Sequence, residues 1–288
     1  MRPDRRVRDP RTLTLAAPAK VNLFLHVTGR RDDGYHLIES LFALIDLADT
    51  VTLAVTLDGT ISRTNDVVGV PAQEDLAVRA AQLLQRASGT REGVAIRIDK
   101  RIPIGAGLGG GSSDAASVLL GLNRLWRLDR SRAELASLCL TLGADVPFFV
   151  HGRNAFVRGI GDEVHPVSLP RQWLALAMPA THVSTARIFA SPELTRLTAS
   201  AKMSVFSESY GRNDLEPVAA SRYPEVALAR ASLARFAPGA RMTGSGAAVV
   251  AVCETQDAAR CAVSALPGDI AGRVVATLAQ HPLRRFAG

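Results

Sequence analysis

A glycine-rich segment at residues 103–116, PIGAGLGGGSSDAA, constrains this chain more than any other feature. Five glycines lie within the seven residues from Gly105 to Gly111, and an apolar helical pattern follows directly. Glycine lets the backbone turn through positive φ and approach a ligand closely. Because free backbone N–H groups and a helix N-terminus both attract anions, the segment predicts a phosphate-binding loop. The alternative is a flexible glycine linker, although linkers rarely join an alternating strand directly to a capped helix.

Several known phosphate-binding motifs do not fit this segment. The glycines satisfy G-x-G-x-x-G, but a dinucleotide site also needs an acidic residue ending a second strand. Asp129 has that spacing, yet it precedes Ser131 and Glu134, which form a capping box for the next helix. A Walker A loop is excluded because no Gly-Lys-Ser/Thr follows, and the HRD and DFG segments of protein kinases are missing.

Length and composition indicate a globular protein of about two domains. Cys139, Cys253 and Cys261 lack metal-ligand spacing, which predicts reduced core cysteines in a cytoplasmic protein. The apolar stretches are shorter than the ~20 residues that span a bilayer, so no membrane association is expected. Residues 1–11 carry five arginines and no apolar run, which predicts a disordered basic extension, with an organelle transit peptide as the alternative.

The formal charge of +7 does not indicate nucleic-acid binding, because no basic run alternates with aromatic residues. We interpret the excess of arginine over lysine mainly as a compositional bias of the source genome. The positive charge would also attract polyanionic small molecules. Lysine occurs only at Lys20, Lys100 and Lys202. Because this chain otherwise uses arginine, we expect that these positions require the compact ammonium group of lysine.

Hydrophobic periodicity predicts an α+β architecture. Strands are expected at 12–28, 41–47, 50–56, 94–98, 148–158 and 173–178, and helices at 76–87, 113–126 and 132–142. Period two places Lys20 and Asn22 on one face of the first strand. Asp58-Gly59 is a hairpin signal, and RMTGSGAAVVAV (241–252) is a second glycine loop that opens a strand. Pro166 and Pro170 bracket a boundary between domains at 12–168 and 169–288.

Three motifs together resemble the GHMP family of small-molecule kinases: PAKVNLFLHVTGRRDDGYH (18–36), the glycine loop, and TGSGAAV (243–249). Segments 142–149, 181–189 and 213–216 extend the resemblance. It implies a two-domain GHMP-kinase fold, with an N-terminal βαβ-type domain similar to a ribosomal-protein domain 2-like fold and a C-terminal ferredoxin-like α/β domain. The GYH element and the GGGSSDAA loop favour members that act on a cytidine diphosphate-linked polyol over homoserine or mevalonate kinases.

The resemblance also implies catalytic roles, with ATP as the phosphoryl donor and Mg²⁺ accompanying it. Asp145 would accept the proton of the substrate hydroxyl, or otherwise cap the turn that follows it. Lys20 would orient Asp145, or otherwise be an ordinary strand-surface lysine. Metal ligands stay unassigned. The residues implied to hold the ATP phosphates are Pro103, Gly105, Ala106, Gly107, Leu108, Gly109, Gly110, Gly111, Ser112 and Ser113.

On the substrate side, the resemblance implies that Tyr35 and Phe189 stack on cytosine while His36 reads its hydrogen-bonding edge. Asn22 would bind the substrate by a hydrogen bond, and Thr185 would contact its phosphates. Singly, Phe189 could instead be a core residue and Tyr35 a turn residue. The alternatives are another GHMP kinase of homoserine or mevalonate type, and a non-catalytic RNA-binding module. We expect a monomer or weak homodimer.

Two positions depart from the family pattern. Asp114 stands where some members carry Asn, and a carboxylate beside phosphates implies a helix cap or an indirect metal contact. Glu74-Asp75-Leu76 stands where Asn often precedes the leucine, so the contacts on the adenosine side are left open.

Overall fold

The computed structural model describes residues 11–200 and 211–288. A six-stranded sheet belongs to the first half of the chain. Its strands are β1 Thr12–Arg30, β2 His36–Thr56, β3 Ile61–Arg63, β4 Gly93–Asp99, β5 Ala155–Arg158 and β6 Glu163–Pro166. The helices of this half are α1 Leu76–Ser88, α2 Gly110–Leu125, α3 Arg132–Cys139 and α4 Val146–His151.

The first sheet has the order β3-β4-β2-β5-β6, and β1 pairs with β2 along most of its length. Helix α2 is buried along nearly its whole length, and it lies against β1, β2, α1 and α4. Its apolar side chains join those of the sheet in one core cluster. The start of α2 lies beside the middle of β1, where the Ser113 hydroxyl bonds the carbonyl oxygen of Pro18.

A four-stranded antiparallel sheet belongs to the second half. Its strands are β7 Trp173–Pro179, β8 Arg241–Met242, β9 Val249–Cys253 and β10 Ile270–Ala276. The helices are α5 Thr185–Phe189, α6 Glu216–Arg222, α7 Pro224–Ala234 and α8 Gln256–Ser264, followed by a 3₁₀ helix at Arg284–Phe286. The order β10-β7-β9-β8 is the ferredoxin-like arrangement that the resemblance implied.

The two sheets are joined by a shared apolar cluster. Val21 and Leu41 of the first sheet belong to the same buried group as Leu174, Leu176 and Val250 of the second. Close packing of this kind fixes the relative position of the loops above it. The glycine loop at 103–116 and the second glycine loop at 241–252 therefore lie against each other.

Much of the predicted secondary structure is confirmed, including β1, α1, β4, β7 and the second glycine loop. The capping box is also present, with Ser131 and Glu134 bonded reciprocally at the start of α3. Helix α2 begins at Gly110, inside the glycine run, and α3 ends at Cys139, three residues earlier than expected.

The strand predicted at 148–158 is wrong in its first half. Residues Val146–His151 form α4, Gly152 ends that helix at φ +68°, and β5 begins only at Ala155. An apolar run this short fits a buried strand or a buried helix equally well. Pro147 decides for the helix, because its fixed φ suits a first helical turn.

The strands predicted at 41–47 and 50–56 are one continuous strand, β2. Ala48 and Asp49 stay paired with β1, opposite Pro18 and Ala17. The hairpin prediction at Asp58-Gly59 is also wrong, because β3 pairs in parallel with β4 rather than with β2. The turn exists, but β4 lies between the strands that it joins.

Two further expectations change. Cys139 and Cys253 are buried as predicted, but Cys261 is exposed on α8. The guanidinium of Arg11 donates to the carbonyl oxygen of Leu125 at 2.6 Å. Arg11 therefore belongs to the folded part of the chain, and the prediction that the disordered extension reaches residue 11 is wrong at this residue. The rest of that extension, and Lys202, lie outside the described residues. Among the residues that are described, no helix is long and apolar enough to cross a membrane.

Candidate active site

A cavity of about 1000 Å³ opens where the glycine loops meet the middle of β1, the β1–β2 turn and helix α5. All of the predicted site residues except Ser113 line it. They are Lys20, Asn22, Tyr35, His36, Pro103, Gly105, Ala106, Gly107, Leu108, Gly109, Gly110, Gly111, Ser112, Asp145, Thr185 and Phe189. Its volume lies at the upper end of the range typical of small-molecule sites.

Lys20 and Asp145 face each other in the middle of the cavity. The Lys20 Nζ lies 3.5 Å from Asp145 Oδ2, and the lysine side chain is 4% exposed whereas that of Asp145 is 31% exposed. Asp145 begins α4 without capping it through its side chain, so its carboxylate is free to point at the cavity. Lys20 Nζ also lies 4.7 Å from the ring centre of Phe42, a cation–π contact. The ammonium is thus buried and lies beside a partly exposed carboxylate.

Asn22 is held by bonds on both sides of its amide. Its Oδ1 accepts from Lys20 Nζ at 2.7 Å, and its Nδ2 donates to Ser40 Oγ at 2.8 Å. Its backbone N–H donates to Thr243 Oγ1 at 2.7 Å, which ties β1 to the second glycine loop. Lys20 and Asn22 thus lie on one strand face, as the period of two predicted, and the amide oxygen contacts the ammonium directly. Sequence reasoning missed Thr243 and Ser40, although Thr243 opens the TGSG motif.

The backbones of the two glycine loops are in direct contact. The Ala248 N–H donates to the carbonyl of Ala106 at 3.2 Å. Gly107 has φ +76°, and a Cβ atom placed there would lie 2.4 Å from the carbonyl oxygen of Thr243. No side chain fits at this contact, so glycine is required.

Helix α2 begins at the glycine loop. Gly109 stands at its N-cap with φ +70°, and Gly110, Gly111 and Ser112 form its first residues and line the cavity. The first N–H groups of a helix have no intrahelical partner and attract anions. Ser113 differs from its neighbours, because its buried hydroxyl donates to the carbonyl oxygen of Pro18 at 2.6 Å. Its side chain therefore lies outside the cavity and anchors α2 to β1.

Tyr35, His36 and Phe189 lie at another part of the same cavity. The rings of His36 and Phe189 are 5.0 Å apart and inclined by 32°. Tyr35 is 62% exposed, next to the turn between β1 and β2. The structure thus brings together the three residues implied for base recognition, with His36 already against Phe189.

Arg196 fixes His36, which sequence reasoning did not foresee. Its Nε donates to His36 Nε2 at 3.3 Å, and its other nitrogens bond the carbonyl oxygens of Ser191 and Leu194. Burial, Arg196 and Arg30 together lower the pKa of His36. Since Nε2 accepts, the ring proton of neutral His36 lies on Nδ1. Nothing distinguishes Arg196 among the many arginines of the sequence.

Thr185 starts α5, and its hydroxyl lies 2.6 Å from that of Ser245 in the second glycine loop. One of the two hydroxyls therefore donates a hydrogen bond to the other. Ser245 lies within the TGSG motif, from which the sequence predicted the second glycine loop. Nothing in the motif predicted the contact between Ser245 and Thr185.

Lys100 and Asp114 line the cavity behind the start of α2. Lys100 Nζ donates to Asp114 Oδ2 at 2.8 Å and also contacts Asp49 Oδ2. The expectation of a helix cap at Asp114 is wrong, because Gly109 holds the N-cap position. Burial acts against the charge of Lys100, but Asp114 and Asp49 outweigh it and raise the lysine pKa. Burial also raises the pKa of Asp114, to about 7.

A metal site built from protein ligands is not evident in the described ranges 11–200 and 211–288. They contain no group of three or more His, Cys, Asp or Glu side chains placed to hold a metal ion.

Comparisons with known proteins agree with this geometry. The GHMP kinases N terminal domain family matches residues 75–153, and the GHMP kinases C terminal family matches residues 192–269. The chain therefore belongs to the GHMP kinases, which transfer phosphate from ATP.

Within that family, its relatives are 4-diphosphocytidyl-2-C-methyl-D-erythritol kinases. The enzyme of that name from Thiobacillus denitrificans is 55% identical over 94% of this chain and 97% of its own length. The one from Aromatoleum aromaticum is 52% identical over 94% and 95%. A crystal structure of 4-(cytidine 5'-diphospho)-2C-methyl-D-erythritol kinase superposes with a TM-score of 0.80 at 37% identity, covering 92% of this chain and 99% of that one.

A homoserine kinase from Cytophaga hutchinsonii superposes with a TM-score of 0.73 over 98% of both chains, but at 16% identity. That likeness concerns the fold alone.

Proposed function

We propose that this chain transfers the γ-phosphoryl group of ATP to a hydroxyl of 4-diphosphocytidyl-2-C-methyl-D-erythritol, a step of the non-mevalonate route to isoprenoid precursors. The observation that carries the proposal is the single cavity that holds Asp145 and Lys20 between a glycine loop and an aromatic cluster. The names of relatives at 50–55% identity support the substrate.

The proposed nucleotide position is the glycine loop and the N-terminus of α2. The free N–H groups of Gly110, Gly111 and Ser112 would face the phosphates, and the helix dipole favours their charge. Mg²⁺ would enter with the nucleotide and neutralise its developing charge. The glycines at 105, 107 and 109, each at positive φ, would let the backbone follow the polyphosphate.

The proposed chemistry centres on Asp145. Its carboxylate would accept the proton of the substrate hydroxyl as that oxygen attacks phosphorus, since phosphoryl transfer needs positioning, charge stabilisation and one proton acceptor. Lys20, 3.5 Å away, would hold the carboxylate in place and offset negative charge near the transferred group. Asn22 would keep Lys20 aligned and reach the substrate.

The proposed substrate subsite contains Tyr35, His36, Phe189 and Thr185. Aromatic stacking would hold the cytosine ring, and a neutral His36 with its proton on Nδ1 would donate to an acceptor of the base. Cytosine presents acceptors at its ring nitrogen N3 and at O2, whereas uracil presents a donor at N3. The Thr185 hydroxyl would contact the diphosphate.

A coupled assay of ADP release tests the proposal. We expect turnover with ATP and 4-diphosphocytidyl-2-C-methyl-D-erythritol, and none above background with homoserine or mevalonate. Turnover with either of those alcohols at a comparable rate would contradict the substrate assignment. The proposal includes a cytoplasmic location and action as a monomer or weak homodimer, which cell fractionation and size-exclusion chromatography with light scattering would check.

A further inference from the structure

A buried cluster of three charges lies directly behind the glycine loop. Lys100 Nζ donates to Asp114 Oδ2 at 2.8 Å and contacts Asp49 Oδ2. Asp49 is fully buried, and its other oxygen accepts from the backbone N–H groups of Arg101 and Ile102. Asp114 is 2% exposed. With all three groups ionised, the cluster carries one net negative charge.

The two carboxylates are not equally satisfied. Both oxygens of Asp49 are hydrogen-bonded, whereas Oδ1 of Asp114 is buried with no hydrogen-bond partner among the described residues. A buried ionised oxygen without a partner is costly, and adding a proton removes most of that cost. Asp114 is therefore the member of the cluster that is poised to change its protonation.

The charges that surround Asp114 reinforce this asymmetry. Burial favours the neutral acid, Lys100 opposes it, and Asp49 and the more distant Asp75 favour it. Asp75 is itself paired with Arg63 at 2.6 Å. Glu74, Lys20 and Asp145 line the same cavity further from the cluster.

The cluster is in contact with the proposed phosphate position. A Cβ atom placed on Gly110 would lie 3.2 Å from Lys100 Nζ, so the ammonium rests against the first residue of α2. Lys100 and Asp114 also line the cavity. A bound polyphosphate would thus bring several negative charges close to a cluster that is already negative. In a partly buried site such repulsion is weakly screened.

We propose that Asp114 takes up one proton from solvent when the nucleotide binds, which makes the Lys100–Asp49–Asp114 cluster neutral beneath the phosphates. The proton returns to solvent when the nucleotide leaves. Lys100 keeps its contacts with both side chains throughout, so Asp114 acts as a positioning residue that holds the ammonium against Gly110. This inference rests on the nucleotide site of the proposed function.

Asp114→Asn provides the matched test, because asparagine has the same shape, keeps an acceptor for Lys100 and is permanently neutral. The probe is the nonhydrolysable analogue β,γ-imido-ATP with Mg²⁺, titrated by calorimetry at pH 8 in two buffers of different ionisation enthalpy. The wild-type protein should take up roughly half to one proton more per nucleotide than the variant. Comparing two proteins with one ligand removes the titration of the nucleotide itself.

The dissociation constants should follow the same linkage. They should agree within about twofold at pH 6, and the wild-type Kd should be about ten- to thirtyfold weaker than that of Asp114→Asn at pH 8.5. Asp99→Asn serves as the control, because Asp99 is an exposed carboxylate one residue before Lys100 and pairs with Arg97. That variant should keep the wild-type proton count.

A second measurement does not depend on the variant folding. Infrared difference spectra of the wild type at pH 8 should gain the carbonyl band of a protonated carboxylic acid when the nucleotide is added. Equal proton uptake in wild type and Asp114→Asn, or the absence of that band, would overturn this inference alone. Failure of the wild type to bind the nucleotide would overturn the proposed function with it.

Discussion

At the scale of single residues, the partly exposed carboxylate of Asp145 and the buried ammonium of Lys20 can each be tested by substitution. Asp145→Asn should lower kcat by about 10²–10⁴, the range for losing a general base, with little change in ATP affinity. Lys20→Ala should do comparable damage. Lys20→Arg should not fully restore turnover, because the buried ammonium contacts both Asn22 Oδ1 and the Phe42 ring, and a guanidinium is larger and planar. Steady-state kinetics with Asp99→Asn as the control would measure this, and near-normal turnover of Asp145→Asn would disprove the assigned base.

The contact between Arg196 and His36 makes a prediction about base selectivity. Because Arg196 Nε donates to His36 Nε2, it fixes the ring proton on Nδ1, where it can meet an acceptor of cytosine. Arg196→Lys should reduce the preference for cytidine over uridine diphosphate by roughly tenfold, which corresponds to about one hydrogen bond. Binding calorimetry with CDP and UDP would measure it, with Arg187→Lys on α5 as the control. An unchanged ratio of the two affinities would mean that His36 does not depend on Arg196.

At the scale of secondary-structure elements, the glycine loop is joined to α2 and to the second loop through positions that exclude side chains. Gly107→Ala should weaken ATP binding by at least about tenfold, because its Cβ atom would press on the Thr243 carbonyl and its φ is left-handed. Gly109→Ala should mainly lower kcat, since its Cβ atom would contact Lys20 Cγ at 3.2 Å and Phe149 at 3.0 Å. Fluorescent nucleotide binding and steady-state kinetics would separate the two effects.

Gly268→Ala is the matched control for these two substitutions, because it has free space around it and no positive φ. All three variants should keep near-native far-UV circular dichroism. Wild-type nucleotide affinity in Gly107→Ala would mean that the contact between the two loops is not needed for binding.

At the scale of the whole molecule, the C-terminal segment returns to the first half of the chain. The His281 N–H donates to the carbonyl of Gly152, and His281 Nδ1 accepts from Leu283 N. Arg132 of α3 bonds the carbonyl of Ala287. Burial, and then Arg132, lower the pKa of His281 from 6.5 to about 3. The folded state therefore keeps this imidazole neutral where the unfolded chain would protonate it.

This linkage gives the stability a defined dependence on pH. Its contribution is fully present above pH 6.5 and is lost progressively as the pH falls toward about 3, because the unfolded state binds the proton first. His281→Asn keeps an acceptor for Leu283 N and should unfold at a lower pH than the wild type. Urea unfolding followed by circular dichroism between pH 7 and pH 4 would measure it. A parallel decline of the unfolding free energy in both proteins would rule out His281 as the source.

Local pattern was enough to predict several elements correctly. The period of two in β1 and β4, the capping box before α3, and the glycines that must adopt positive φ before α2 all depend on near neighbours in the chain. The same evidence could not choose between strand and helix for Val146–His151, since a short apolar run fits both. It also could not show that residues 41–47 and 50–56 form one strand, because Asp49 lies between them and a buried aspartate is unusual inside a strand. Only the fold shows that Asp49 is hydrogen-bonded to Lys100, Arg101 and Ile102, which are distant in sequence.

The motifs were enough to identify a glycine loop that leads into a helix, the family to which the chain belongs, and many of the residues that line its cavity. Which side chains contact one another depends on the fold: Lys20 with Asp145, Lys100 with Asp49 and Asp114, and Arg196 with His36 across 160 residues. The difference is one of range along the chain. Periodicity and backbone angles are set within a few residues, whereas these contacts depend on strand register, on the irregularity between Pro18 and Lys20, and on the packing of one sheet against the other.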